Sequence, residues 1–109
     1  MTSTLVEPKI VTIEPHSHVS AANARELKDR ITAVVTTSTP SVLLVNMHKV
    51  EFMDSAGLMV LVNAFNQAKE LGLRFIICSL NESVRMIFEL TQLDEVFEII
   101  ENYSALEVA

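Results

Sequence analysis

The chain has 109 residues, half of them hydrophobic and 20% charged, with a formal net charge of −6. This composition suits one globular domain with a single core, expected over residues 1–109, rather than a disordered segment. The acidic balance and the absence of Lys/Arg clusters exclude a nucleic-acid partner. The longest apolar run, Leu58 to Val62, is far too short to cross a membrane.

Cys78 is the only cysteine, so neither a disulfide framework nor a Cys-based metal site is available. It lies in an apolar stretch and reads as a buried thiol. No charged-then-apolar leader opens the sequence, and the expected location is cytosolic.

In chain order, Met1 to Ser3 reads as loose and Leu5-Val6 as a short edge strand, broken at Pro8. Lys9 to Glu14 alternates, Ile10 and Thr12 on one face and Val11 and Ile13 on the other, as a strand does. Pro15-His16-Ser17-His18 is expected to end it. Ser20 is read as the N-cap of a first helix whose core face carries Ala24, Leu27, Ile31 and Val34. The Thr36 to Pro40 tract closes that helix.

Val42 to Met47 is apolar on both faces, which suits the middle of a parallel sheet. A polar break at His48-Lys49 follows. Leu58, Leu61, Val62, Phe65 and Ala68 then recur at helical spacing, which predicts a helix over about 56–71, ended by Gly72 as the C′ residue. Arg74 to Leu80 reads as another buried strand. Asn81 is placed to cap a third helix over about 82–92, Val96 to Ile100 as a last strand, and Tyr103 to Val108 as a short terminal helix.

Alternating strands and helices make the fold class α/β. The third helix carries two apolar stripes, Val84/Ile87/Phe88 and Met86/Leu90/Leu93. One stripe should face the sheet; the other needs a cover, from the terminal helix through Leu106 or from another subunit. Phe65, Leu61, Leu27, Leu44 and Ile77 are the expected core.

The stretch Phe52-Met53-Asp54-Ser55-Ala56-Gly57-Leu58 sits where a strand hands over to a helix. Helix N-termini present unpaired N–H groups and the positive end of the macrodipole, which together favour an anion. With Asp54 as N-cap, Met53 and Leu58 form the hydrophobic staple; with Ser55 as cap, its hydroxyl still lies in the first turn. Either way Ser55 lies near those N–H groups and near the surface. On spacing alone, both residues are adequately explained as caps.

This run resembles the serine-phosphorylation signature of bacterial anti-sigma factor antagonists, the stand-alone STAS domains, and the likeness in element order extends from about Lys9 to Ile100. The resemblance implies a central mixed sheet of four to five strands with helices mainly on one face. It implies that Ser55 is phosphorylated, that the unmodified form binds a serine kinase acting as an anti-sigma factor, and that a serine phosphatase reverses the modification. ATP would be carried by the kinase, leaving this chain no cofactor of its own.

The expected partner-binding residues are Asp54, Ser55, Ala56 and Gly57 of the signature with Met59 and Asn63, which helical spacing places on the face of Ser55. Asn66 and Gln67 continue that face uncharged; Met59 also reads as a lone surface methionine. The chain departs from the family at the end of the second strand: where the family has a glycine, a hydrophobic residue and an acidic cap, this sequence has Ser17, Val19 and Ser20, which keeps the cap chemistry but loses the acidic contact.

Three other readings compete with this one. A constitutive STAS scaffold in a transporter or signalling assembly keeps the fold without the switch. A serine hydrolase is disfavoured because Met53 replaces the first glycine of G-x-S-x-G, and Asp54 is badly placed to orient a base. Glu14, His16 and His18 lack a fourth metal ligand and read as polar loop residues. The oligomeric state is left open.

Overall fold

The computed structural model describes residues 9–37, 40–102 and 104. The elements are β1 (Ile10–Ile13), β2 (Ser17–Val19), α1 (Ala24–Thr37), β3 (Val42–Asn46), β4 (Val50–Met53), α2 (Ser55–Glu70), β5 (Arg74–Cys78), α3 (Glu82–Leu90), a 3-10 turn (Leu93–Glu95) and β6 (Glu98–Ile100). A four-stranded sheet runs β1-β3-β5-β6, and β2 pairs separately with β4.

All pairings between described residues are parallel, with Leu43 opposite Val11 and Phe75. A mixed sheet needs an antiparallel partner, and the segment expected to add an edge strand, Leu5-Val6, lies outside the described residues. The central strands β3 and β5 are buried on both faces, as parallel strands flanked by crossovers are.

Two short strands depart from the sequence reading. His16-Ser17-His18 was expected to be loop, and the signature was expected to follow a polar break directly. Instead Ser17–Val19 and Val50–Met53 pair with each other, and the Ser17 N–H donates to the Lys49 carbonyl at 2.9 Å. Neither run is long enough to show an alternation by itself; each is a strand because the other lies beside it. Ser17, standing at the family's usual glycine, has φ 59, the left-handed conformation that glycine adopts at least cost.

One face of the sheet carries the main core. Leu43, Val45, Phe75 and Ile77 meet Leu27, Ile31 and Val35 of α1, Leu58 and Leu61 of α2, and Val84 and Phe88 of α3. The opposite face forms a smaller cluster of Val42, Leu44, Ile76 and Cys78, to which no residue of the three helices belongs. Leu44 therefore lies in this second cluster, while the other four expected core residues lie in the first. The Phe65 ring is only partly buried, yet it meets Phe75 and Phe97 edge-on at 6.1 and 5.3 Å.

The helices correct three details. Asn23, not Ser20, immediately precedes α1, and its carbonyl accepts the first helical bond from Leu27. Ser20 instead opens a turn, its N–H donating to Asn23 Oδ1 at 2.9 Å. In α1, Val35 is buried and Val34 only partly so. In α2 the buried stripe also takes in Val60 and Ala64, because α1 packs along that side and Lys28 and Ile31 line the same cleft, and Gly57, which closes on Val19 of β2.

The end of α2 is as expected. Gly72 has φ 74, its N–H donates to the Lys69 carbonyl, and the Leu73 N–H donates to that of Ala68, a Schellman closure. α3 stops at Leu90, two residues early, and Gln92 turns left-handed with φ 61. Met86 and Leu90 of its second stripe are exposed, whereas Leu93 packs partly against the core. Leu106, through which the terminal helix was expected to cover that stripe, lies outside the described residues.

Candidate functional site

The signature forms the junction between β4 and α2. Asp54 is extended, with φ −107 and ψ −175, and caps α2 by accepting the Gly57 N–H on Oδ1 at 2.9 Å. Met53 and Leu58, the expected staple pair, are both buried. The second carboxylate oxygen reaches another part of the chain: Oδ2 accepts the Ala21 N–H at 3.1 Å. Asp54 also donates its own N–H to the Val19 carbonyl at 3.2 Å. The Gly57 and Ala21 N–H groups hold the Asp54 carboxyl below the usual carboxylate range, because both favour the charged form.

Ser55 is the first residue of α2 and is exposed. Met59 and Asn63, four and eight residues on, share its face, and both are exposed, Met59 at 52%. Asn66 is exposed and Gln67 half-buried, so the strip remains free of charge. Ala56 and Asp54 are half-buried at its edge. The first turn of α2 contains no acidic side chain, so the favourable end of the dipole holds only the capping carboxylate.

Gly57 is not part of that surface. It is buried, and a Cβ there would come within 2.0 Å of the Val19 carbonyl oxygen and 2.5 Å of its carbon. The expectation that Gly57 is one of the partner-binding residues is therefore corrected, and a side chain there would not reach a partner. It would point at the backbone of β2, and glycine is required by helix-to-strand packing. Ala21 and Val19 are the site neighbours that sequence reasoning missed, and nothing local in the sequence marks them.

The histidines lie elsewhere in the polar network. His48 Nδ1 is 2.9 Å from Asn46 Oδ1 and 3.7 Å from Glu14, and Lys49 pairs with Glu14 at 3.1 Å. Glu14 is thus engaged by a cation, which with His48 and His16 holds its carboxyl below the usual range. Among the described residues no three potential metal-ligating side chains gather together. No helix among them is long and apolar enough to cross a membrane.

An α/β domain with three helices on a four-stranded sheet, and a capped strand-to-helix junction bearing Asp-Ser-x-Gly-Leu, is the architecture of a STAS domain. The STAS domain profile matches residues 2–106, and the chain belongs to that family.

A Thermotoga maritima protein described as a candidate anti-sigma factor antagonist superposes with a TM-score of 0.84 at 26% identity, over 90% of this chain and 84% of its own. An anti-sigma factor antagonist from Mycobacterium paratuberculosis gives 0.79 at 27%, over 94% and 88%. A sulfate transporter family protein from Wolinella succinogenes gives 0.76 at 14%, over 93% and 84%, a likeness of fold alone.

Proposed function

We propose that this chain is an anti-sigma factor antagonist: a binding module, not an enzyme, switched by phosphorylation of Ser55. The observation that carries the reading is the exposed Ser55 hydroxyl at the start of α2, directly after a capping aspartate and beside the uncharged strip of Met59 and Asn63. In the unmodified state the surface formed by Asp54, Ser55, Ala56, Met59 and Asn63 docks on a serine kinase that also acts as an anti-sigma factor. The kinase supplies ATP. Its γ-phosphoryl group passes to Ser55 Oγ, ADP leaves, and the hydroxyl proton goes to a base on the kinase. A serine phosphatase restores the hydroxyl by hydrolysis.

A phosphate adds roughly −1.5 to −2 charge and three acceptor oxygens at neutral pH. On the domain itself the N-terminus of α2 favours that charge by about 0.3–1 kcal/mol, while the neighbouring Asp54 carboxylate opposes it. The two nearly cancel, so the fold is retained and the effect falls on the partner. There the new charge must be desolvated against Met59 or faced by the ATP phosphates, and the contact is lost.

Incubation with cytosolic extract and ATP, read by intact mass and site mapping, tests this. A single phosphate on Ser55, absent from Ser55→Ala, is expected. No modification overturns the switch and leaves a constitutive STAS scaffold.

A further inference from the structure

We propose that Asp54 is a positioning residue that couples Ser55 to the turn at 20–23, so that a phosphate on Ser55 frees Ala21 from α2. The proposal rests on reading Ser55 as the modified residue and adds a second segment of the chain to the surface that responds.

The turn is braced from within. The Ser20 N–H donates to Asn23 Oδ1, the Ala22 N–H to Ser20 Oγ, and Asn23 Nδ2 to the His18 carbonyl. The bond from the Ala21 N–H to Asp54 Oδ2 ties it outward to the start of α2, across 33 residues of sequence. The Asp54 carboxylate therefore serves two donors, and they are unequal. The Gly57 bond is 2.9 Å, partly buried and within the same helical turn; the Ala21 bond is 3.1 Å and exposed.

A phosphate on the adjacent residue repels the carboxylate and competes for N–H donors at the helix start. The local bond is held by the helix and stays. The exposed long-range bond yields, and Ala21 and the neighbouring exposed Ala22 are released beside the modified serine.

The test uses the full-length protein carrying phosphoserine installed at position 55 by codon suppression, so that it does not depend on any kinase. Amide exchange and chemical shifts are compared with the unmodified chain. Ala21 should exchange roughly three- to tenfold faster, the factor carried by one ordinary hydrogen bond, while Gly57 keeps its protection. In Asp54→Asn the amide can still cap Gly57, but its NH2 group faces Ala21 as a second donor and cannot accept.

Ala21 should therefore already exchange quickly in Asp54→Asn, and phosphoserine should add nothing, a non-additivity that a merely structural aspartate would not give. Changes confined to 55–63, with Ala21 untouched, overturn the relay and leave the Ser55 switch standing. An equal response of Ala21 in the Asp54→Asn background overturns the role of Asp54. Failure of the extract to modify Ser55 would instead sink the switch and leave the relay measurable.

Discussion

α2 and α3 begin alike and then diverge. Each follows a strand and each is capped by an Asx side chain that accepts the N–H three residues on: Asp54 from Gly57 at 2.9 Å, Asn81 from Val84 at 2.8 Å. Each cap also makes a long-range bond. Asp54 accepts from the Ala21 N–H, while Asn81 donates Nδ2 to the Val50 carbonyl at 2.8 Å. Both first turns even expose a serine, Ser55 and Ser83.

The difference lies in charge and in packing. Glu82 occupies the dipole-favoured acidic place on α3, and Glu89 continues its wet side, whereas the first turn of α2 is without acid and opens onto Met59 and Asn63. A serine at a helix start is thus ordinary. A serine at a helix start whose anion is the capping carboxylate itself, with no further acid in the first turn and an uncharged strip beside it, is the feature that singles out Ser55.

The strongest way to break the comparison is to give α2 the residue that α3 has at the third helical position. Val84 is buried there, but Gly57→Val drives a side chain into the Val19 backbone. Overpacking typically costs about 1–3 kcal/mol, and contact with backbone rather than a movable side chain places this variant at or beyond the upper end. Urea unfolding should show a large loss, and a stability near wild type would mean that β2 moves aside freely.

Phe65→Ala comes next. Ring removal in a core costs about 3–5 kcal/mol. Because Phe65 is only partly buried, the loss should fall near the lower end, with Phe75 and Phe97 each losing an edge-on partner. The same urea series reads it.

The two caps can then be set against each other. Asn81→Ala should cost about 0.5–2 kcal/mol, by the same amount at every pH, since the amide does not titrate. Asp54 behaves differently. Its folded pKa is depressed, so its contribution is complete above the unfolded value of about 3.9 and fades as pH falls through the lower folded value. Glu14 and Glu98, each engaged by a cation, are shifted in the same direction and add to the acid limb. The difference between wild type and Asp54→Asn isolates the Asp54 share. It should shrink toward low pH, and a pH-independent difference would refute the assignment.

The smallest expected effect on stability is the most telling for function. Ser55→Asp and Ser83→Asp should both melt close to wild type, yet only Ser55→Asp should weaken kinase binding, while Ser55→Ala should bind and stay bound. Equal loss of binding from both serines would remove the distinction between the two helix starts.

Much of this site was legible because capping is local. Asp54, Ser55 and the Met53/Leu58 staple span six positions, and the alternatives of Asp54 or Ser55 as cap were resolved by one hydrogen bond to Gly57. The role of Gly57 was misread for the complementary reason. Its constraint comes from Val19, and no spacing within the helix encodes a strand passing 2.0 Å from an absent Cβ. Ser17 lies between these cases: the family's glycine place identified a special position, and the backbone there does turn left-handed.

By itself the sequence determined the three helices, the Asn81 cap, the choice of Asp54 or Ser55 as the other cap, the Gly72 stop, the buried strands β3 and β5, and the exposure of Ser55 with Met59. Each of these depends on interactions reaching no further than about one helical turn, or on apolar runs that must be buried wherever they go. Tertiary structure alone decided that 17–19 and 50–53 are strands, that α2 buries Val60 and Ala64 against α1, and that Asp54 holds Ala21 with its second oxygen. Those features pair groups about 30 positions apart. Parallel pairing and a side-chain bond between distant segments exist only once the chain has brought them together.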